Sequence, residues 1–150
     1  MLEYHVTTDV EKSIISDWKY AGDYSIYNSI PYEEQLSNHS GFGNPCNNYY
    51  SFYDGTSLVG YINLKEKESD VVLGVGVHPD MCGKGYGQTI VKLAIELSKV
   101  VFGEKPIYME VRSWNTRAVK CYEKAGFHII GEPYRKTTPI GEGLFYRMQI

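Results

Sequence analysis

Cysteine is scarce in this 150-residue chain. Cys46, Cys82 and Cys121 stand 36 and 39 positions apart, an odd number without a close pair. That spacing excludes a disulfide framework and a thiolate zinc site, and reads as three free thiols. Histidine is equally sparse. His5, His39, His78 and His128 form neither H-x-x-x-H nor H-E-x-x-H, so no catalytic metal is expected. Long apolar runs are missing too: the longest, Val71–Val77, has seven residues, two of them glycine, whereas a membrane span needs about 20. The start, Met1-Leu2-Glu3-Tyr4-His5, has no basic segment leading into an apolar one. A secretory signal is therefore not expected, and a cytoplasmic protein is the default. Nor is there an excess of positive charge. The net charge of −3 gives no support to a nucleic-acid partner.

What is present fits one domain spanning 1–150. A chain of this length buries roughly 68–70% of its unfolded surface, so it can fold without disulfide or metal. Apolar residues make up 43% and charged residues 22%, the mix of a soluble globular protein. The charge is unevenly placed: residues 1–75 carry net −7 and residues 76–150 net +4. The asymmetry reads either as two partners of opposite sign meeting on one domain or as an uneven solvated surface.

Period and punctuation predict the elements. Residues 2–7 read as a strand. Thr7 and Thr8 offer an N-cap, and Val10, Ile14, Ile15 and Trp18 recur at helical spacing, predicting a helix over 9–19. Residues 20–48 are irregular and rich in tyrosine, with a short helix after Pro31. Strands 49–54 and 57–65 flank a Gly55-Thr56 turn, and a third follows over 70–77. Tyr86, Ile90, Leu93, Ala94, Leu97 and Val101 share one face of a helix over 85–101 that Gly103 ends. Strand 107–112 comes next, then a helix over 116–125 capped by Asn115 and closed by Gly126. Strands 127–131 and 144–150 complete a mixed α/β sheet with helices packed on it.

The chemistry concentrates in residues 71–87, VVLGVGVHPDMCGKGYG. A buried strand runs into a turn, and Gly83, Gly85 and Gly87 follow at spacing two where a helix starts. Glycines without Cβ let backbone N–H groups converge on an anion, and the helix start adds free amides and partial positive charge. Lys84 adds a cation. Together they predict a phosphate or pyrophosphate cradle. The Walker A pattern is absent, and G-x-G-x-x-G fails because position 88 is Gln. The hairpin-linked strands upstream also do not fit a dinucleotide domain.

The segment Cys82-Gly83-Lys84-Gly85-Tyr86-Gly87 resembles the acetyl-CoA-binding motif Q/R-x-x-G-x-G/A of the GNAT (GCN5-related N-acetyltransferase) superfamily, with Cys82 in place of Gln or Arg. Residues 110–127, EVRSWNTRAVKCYEKAGF, are similar to its second signature at Asn115, Ala118, Tyr122, Gly126 and Phe127. The resemblance implies a mostly antiparallel central sheet flanked by helices, with a strand that splays from its neighbour before the glycine-rich loop. It also implies acetyl-CoA as co-substrate and no metal. The cofactor-binding residues it implies are Val75, Gly76 and Val77 along the pantetheine arm, residues Cys82, Gly83, Lys84, Gly85, Tyr86 and Gly87 at the diphosphate, and Asn115. For Gly74 and Gly76, tight sheet packing is the other reading.

Catalytic roles follow from the same resemblance. Tyr122 stands where the family commonly places a phenol near the thioester sulfur, as the acid for the leaving thiolate; otherwise it is a core tyrosine. Glu110 lies in an otherwise apolar strand, on one face with Tyr108, twelve residues before Tyr122. Some family members that acetylate protein N-termini carry a glutamate at that distance. It reads either as the base for the amine or as a rim carboxylate paired with Arg112 or Arg117; a water chain from His78 or a tyrosine is the further option. Tyr24, Tyr27 and Glu33, with Tyr20, Asp23, Tyr32 and Glu34, suggest an acidic, aromatic patch for a cationic acceptor, or else a cover over a core edge.

The expected function is N-acetylation of a primary amine, small molecule or peptide, by direct attack in a ternary complex, on a monomer or homodimer with no nucleic-acid or membrane partner. The alternative is a non-catalytic acyl-CoA-binding module, which needs the loop but neither Glu110 nor Tyr122.

Overall fold

A computed structural model describes all residues, 1–150. Seven strands form one sheet in the order β1-β2-β3-β4-β5-β7-β6, with β1 Leu2–Val6, β2 Tyr49–Asp54, β3 Ser57–Glu66, β4 Val71–Val77, β5 Ile107–Arg112, β6 His128–Thr138 and β7 Gly141–Gln149. Every neighbouring pair is antiparallel except β4–β5. That parallel pair is bonded in register only at Val71↔Ile107 and Val72↔Tyr108. Beyond it the strands part: β4 stays paired with β3 as far as Val77↔Gly60, while β5 stays paired with β7 as far as Arg112↔Phe145. The predicted splay is therefore present.

Four helices flank the sheet: α1 Asp9–Ser16, α2 Tyr32–Asn38, α3 Tyr86–Phe102 and α4 Thr116–Lys124. Alternation along β5 sends Ile107, Met109 and Val111 into the main core with Ile90, Val91, Ala94 and Leu97 of α3. Tyr108, Glu110 and Arg112 take the opposite face. Each buried aliphatic contributes about 1.5–3 kcal/mol by leaving water, so α3 is clamped to the sheet and its first turn is held at the end of β4. A second cluster, Ile15, Trp18 and Phe42, packs the N-terminal segment onto Tyr49, Leu58 and Tyr61.

The start of α1 is fixed by a capping box. Glu11 N–H donates to Thr8 Oγ1 at 3.2 Å, and Thr8 N–H to Glu11 Oε1 at 2.9 Å. The Glu11 carboxylate is buried and also accepts from Ser51 Oγ at 3.1 Å, from His5 Nε2 at 2.9 Å and from the Tyr53 hydroxyl. This replaces the expected apolar face. Val10 and Ile14 are exposed, Ile15 and Trp18 are buried, and the helix stops at Ser16 rather than at 19. The polar hub turns the helix so that Glu11, not Val10, faces the sheet. On α3, Val101 is exposed, and the buried stripe runs through Ile90, Val91, Ala94, Leu97 and Ser98.

The last two strands are longer than predicted. The sequence pattern stops at Gly131, but β6 continues to Thr138 and pairs with β7 from Tyr134↔Phe145 to Thr138↔Gly141. A register shift between Ile130 and Tyr134 accommodates Gly131 and Pro133, since proline cannot donate to a regular ladder. Segment 20–30, read as irregular, contains a 3-10 helix at Gly22–Tyr27. No helix is long and apolar enough to cross a membrane.

Candidate functional site

The divergence of β4 and β5 opens a cleft of about 590 Å³, within the range of small-molecule sites. Residues 73–77 of β4 form one wall and residues 109–112 of β5 the other; the glycine loop, α4 and the tyrosines of segment 20–27 close it. Gly76 is needed there. A Cβ on it would lie 2.2 Å from the Tyr61 ring, whereas one on Gly74 would meet only Asn63 Cβ at 3.7 Å, an ordinary contact. Tyr20 donates its hydroxyl to the Val77 carbonyl at 2.7 Å and so ties the N-terminal segment to the end of β4.

Two glycines of the loop after β4 take a left-handed backbone. Gly83 and Gly85 have φ of 78° and 86°, the left-handed region that costs an L residue roughly 1–2 kcal/mol. A Cβ would have open space at both, so conformation and not crowding requires glycine. Gly87 differs: a Cβ there would come 3.0 Å from Cys121 Sγ, and the glycine lets α3 and α4 approach. Backbone N–H groups from Gly83 to Gln88 donate to no protein acceptor, and Gly85 supplies no side-chain cap. They are unpaired donors at a helix start. Cys82 lines the cleft, its Sγ 3.6 Å from the His78 carbonyl. Lys84 is exposed and outside the lining. Tyr86 also points elsewhere, donating to Asp54 Oδ2 at 2.5 Å and bracing α3 against the β2–β3 hairpin.

Asn115 lines the cleft as the cap of α4. Its Oδ1 accepts from Ala118 N–H at 3.1 Å and its Nδ2 donates to the Tyr27 hydroxyl at 3.0 Å, so both polar atoms are used within the protein. Tyr122 projects from α4 into the same cleft. Burial pushes its phenol well above the ordinary tyrosine range, with the Cys121, Tyr27 and Tyr61 side chains adding to the effect. The shift favours the protonated phenol.

Glu110 also lines the cleft. Its partner is neither Arg112 nor Arg117: Oε1 accepts from Lys136 Nζ at 2.8 Å and Oε2 from the Tyr134 hydroxyl at 2.5 Å. Burial alone would raise its pKa, but these two hydrogen bonds and the positive charges of Lys136 and Lys67 outweigh burial and hold the carboxyl below its usual range. Both partners sit on the part of β6 that the sequence pattern missed. His78 accepts the Asp80 N–H at Nδ1, 3.0 Å away, packs edge-on against Trp18, and does not line the cleft.

The expected acidic, aromatic patch separates into its two parts. Tyr20, Tyr24 and Tyr27 line the cleft. Tyr24 and Tyr27 flank Trp114 at 5.6 and 6.1 Å between ring centroids, and the Arg117 guanidinium lies 3.9 Å above the Tyr24 ring. Trp114 was not anticipated; its place directly before the cap Asn115 was the available signal. Glu33 does not join them. It is exposed on the first turn of α2, outside the cleft, because that helix buries Gln35, which donates to Ser16 Oγ and the Ile30 carbonyl and accepts from Phe42 N–H. Asp23 and Glu34 are likewise exposed and outside, and Tyr32 packs on Phe42. No three His, Cys, Asp or Glu side chains converge as metal ligands.

Comparison with known proteins adds two findings. A model of the acetyltransferase (GNAT) family matches residues 12–127. Among solved structures, spermidine N-acetyltransferase from Vibrio cholerae in complex with CoA and spermine is similar at a TM-score of 0.75 and 20% identity, covering 99% of this chain and 94% of that one. A K23-Q34 chimera of the Vibrio cholerae enzyme and hSSAT is similar at 0.77 and 21%, with the same coverage. A dodecameric structure of the Vibrio cholerae enzyme in an intermediate state gives 0.73 and 21%, over 99% and 92%. At these identities the likeness is one of fold.

Proposed function

The chain belongs to the acetyltransferase (GNAT) family, acetyl-CoA-dependent N-acetyltransferases, and from that premise we propose that it acetylates a primary amine by direct attack within the β4–β5 cleft. One observation carries the reading. The unbonded amides of Gly83, Gly85, Gly87 and Gln88 and the part of β4 that β5 leaves unpaired border the same opening. The amides would hold the diphosphate of the co-substrate, and Lys120 and Lys124 of α4 line the same cleft. The inner edge at Val75, Gly76 and Val77, where the Val77 carbonyl already holds the Tyr20 hydroxyl, would line the pantetheine arm, and the thioester would lie between Tyr122 and Glu110.

The residues then divide the proton work. Glu110 draws the protonated amine and relays its proton to water; the low proton affinity makes it a relay rather than a store. As the amine nitrogen bonds the acyl carbon and the carbon–sulfur bond breaks, the Tyr122 hydroxyl gives its proton to the sulfur, and the second proton shed by the nitrogen returns through water to the phenolate. Orientation of two bound reactants supplies much of the acceleration. Tyr24 and Tyr27 form the acceptor side. A small-molecule amine fits the half-enclosed cleft, and the spermine named with the Vibrio cholerae enzyme is one amine to test.

Isothermal titration with acetyl-CoA, followed by thiol release over a panel of amines, tests this reading. Micromolar binding with turnover on some amine is the expected result. No binding at millimolar concentration overturns it, and binding without turnover on any amine would favour a non-catalytic carrier of acyl-CoA.

A further inference from the structure

Arg112 is a buried cation without a counter-ion. Only 7% of its surface is exposed, and it takes part in no ion pair; its one side-chain hydrogen bond runs from Nη2 to Thr138 Oγ1 at a long 3.3 Å. The guanidinium lies 4.8 Å from the Phe145 ring centroid, and the last hairpin closes over it: a Cβ on Gly143 would meet Nη1 at 2.4 Å. The same side chain lines the cleft. A guanidinium has five N–H donors in a fixed fork, and most of these have no protein acceptor. Burying an unpaired charge is strongly unfavourable unless a partner arrives to complete it.

The charge balance of the cleft sharpens the point. Arg112, Arg117, Lys120 and Lys124 line it as cations, against Glu110 as the one carboxylate, and Lys136 already neutralises Glu110. A polycationic acceptor would meet a single carboxylate, shared with Lys136, against four lining cations. Lys120 and Lys124 project from the helix that packs against the glycine loop, so the phosphates of the co-substrate account for them. Arg112 belongs to another wall, on the face of β5 that it shares with Glu110 and away from the α3 core. The diphosphate has its own donors and does not need it.

We propose that Arg112 is the docking point for a carboxylate on the acceptor, so that the preferred acceptor is a small aminocarboxylate rather than a polyamine. This rests on the transferase reading above and names the substrate class of that same site. The planar fork takes a carboxylate through two parallel N–H···O bonds. Packing against Phe145 fixes the plane of the fork, while its unbonded N–H groups stay reachable from the cleft. Glu110, two residues earlier on the same face, is placed to receive the amine, and the fixed spacing between the two groups selects acceptors by the length between amine and carboxylate.

The test uses unbranched aminocarboxylates with two to five carbons between the functional groups, each paired with its carboxamide, with spermidine as the polycation. Thiol release gives kcat/KM for each. With the wild-type chain, the acid of at least one pair is expected to exceed its amide by roughly 10- to 100-fold, the worth of hydrogen bonds to a charged group. Arg112→Gln is expected to bring that ratio to about one while the KM for acetyl-CoA stays unchanged; Arg112→Lys keeps the charge without the fork and falls between them. Wild-type ratios of one throughout, spermidine as the best acceptor, or a ratio that survives in Arg112→Gln would each overturn the proposal while leaving the transferase reading intact. Should the glutamine variant not fold, the wild-type ratios decide alone. Absence of thiol release with every amine overturns both.

Discussion

Tyr61 and Gly76 face each other across the β3–β4 ladder, and the ring occupies the space that a Cβ on residue 76 would need. The cleft wall is thus shaped by a missing methyl group. Gly76→Ala forces the ring or the strand to move and is expected to cost about 1–3 kcal/mol, a fall of several degrees in Tm, with weaker acetyl-CoA binding. Gly74→Ala, two residues away, has room for its methyl and serves as the control. Thermal unfolding of the two variants checks the contrast, and equal shifts would count against it.

Tyr122→Phe removes the proposed acid and leaves the shape of the wall. Turnover is expected to fall about 100-fold, the scale of a general-acid contribution, with the KM for acetyl-CoA nearly unchanged. Burial pushes the phenol up, so no loss of activity up to about pH 10 should trace to its ionisation. Steady-state kinetics of both proteins from pH 6 to 10 provide the measurement. An unchanged kcat in the phenylalanine variant would remove Tyr122 from the chemistry.

Lys136 donates to Glu110 at 2.8 Å and, with Tyr134 and Lys67, lowers its proton affinity against the effect of burial. Removing the cation in Lys136→Met should raise the Glu110 pKa, since the hydrogen bonds and charge that lower it are partly lost. Protonation then occurs at higher pH, and the acid limb of kcat/KM should move to higher pH. If the limb stays where it is, Glu110 does not carry the relay.

Gly85 holds a left-handed backbone at the start of α3. Gly85→Ala adds roughly 1–2 kcal/mol of backbone strain or tilts the first turn, and in either case the amide row loses its aim. Acetyl-CoA affinity measured by calorimetry should drop about tenfold, while the core beneath α3 and the far-ultraviolet circular dichroism remain as they are. Affinity equal to wild type would place the diphosphate elsewhere.

Glu11 predicts the acid behaviour of the fold. Burial would raise its pKa, but the Thr8 amide, Tyr53, His5 and Ser51 together bring it down to about 2. A carboxyl whose folded pKa lies below its unfolded value stabilises the protein above the unfolded pKa, near 4.3, and loses that contribution as pH falls toward 2. The contribution is roughly 2 kcal/mol once solvent screening is allowed for. In Glu11→Gln the dependence of Tm on pH between 2 and 5 should flatten; a slope as steep as wild type would contradict it.

Much of the site was legible because it depends on local backbone chemistry. Glycines at 83 and 85 need positive φ, Asn115 caps a helix, and a strand with Gly76 needs a close neighbour; each is written at its own position. The partners of Glu110 were not legible, because they come from across a bulge. Gly131 and Pro133 end the visible strand pattern, yet the ladder resumes at Tyr134 and brings Lys136 to the carboxylate. Glu33 failed for a related reason. Its placement depends on which side of α2 is buried, and a single polar residue, Gln35, decides that through contacts with Ser16, Ile30 and Phe42. Helix faces built around buried polar hubs, as at Glu11, defeat an apolar periodicity argument in the same way.

Only two ladder pairs join β4 to β5, so the middle of the seven-stranded sheet is left with an unpaired gap. A thioester carrier lying in that gap would serve as a surrogate strand, completing by its own amides what the polypeptide leaves open. Its binding free energy would then add to the cohesion of the fold, growing with the logarithm of its concentration. The amount of folded enzyme would in that case rise and fall with the supply of acetyl groups it consumes.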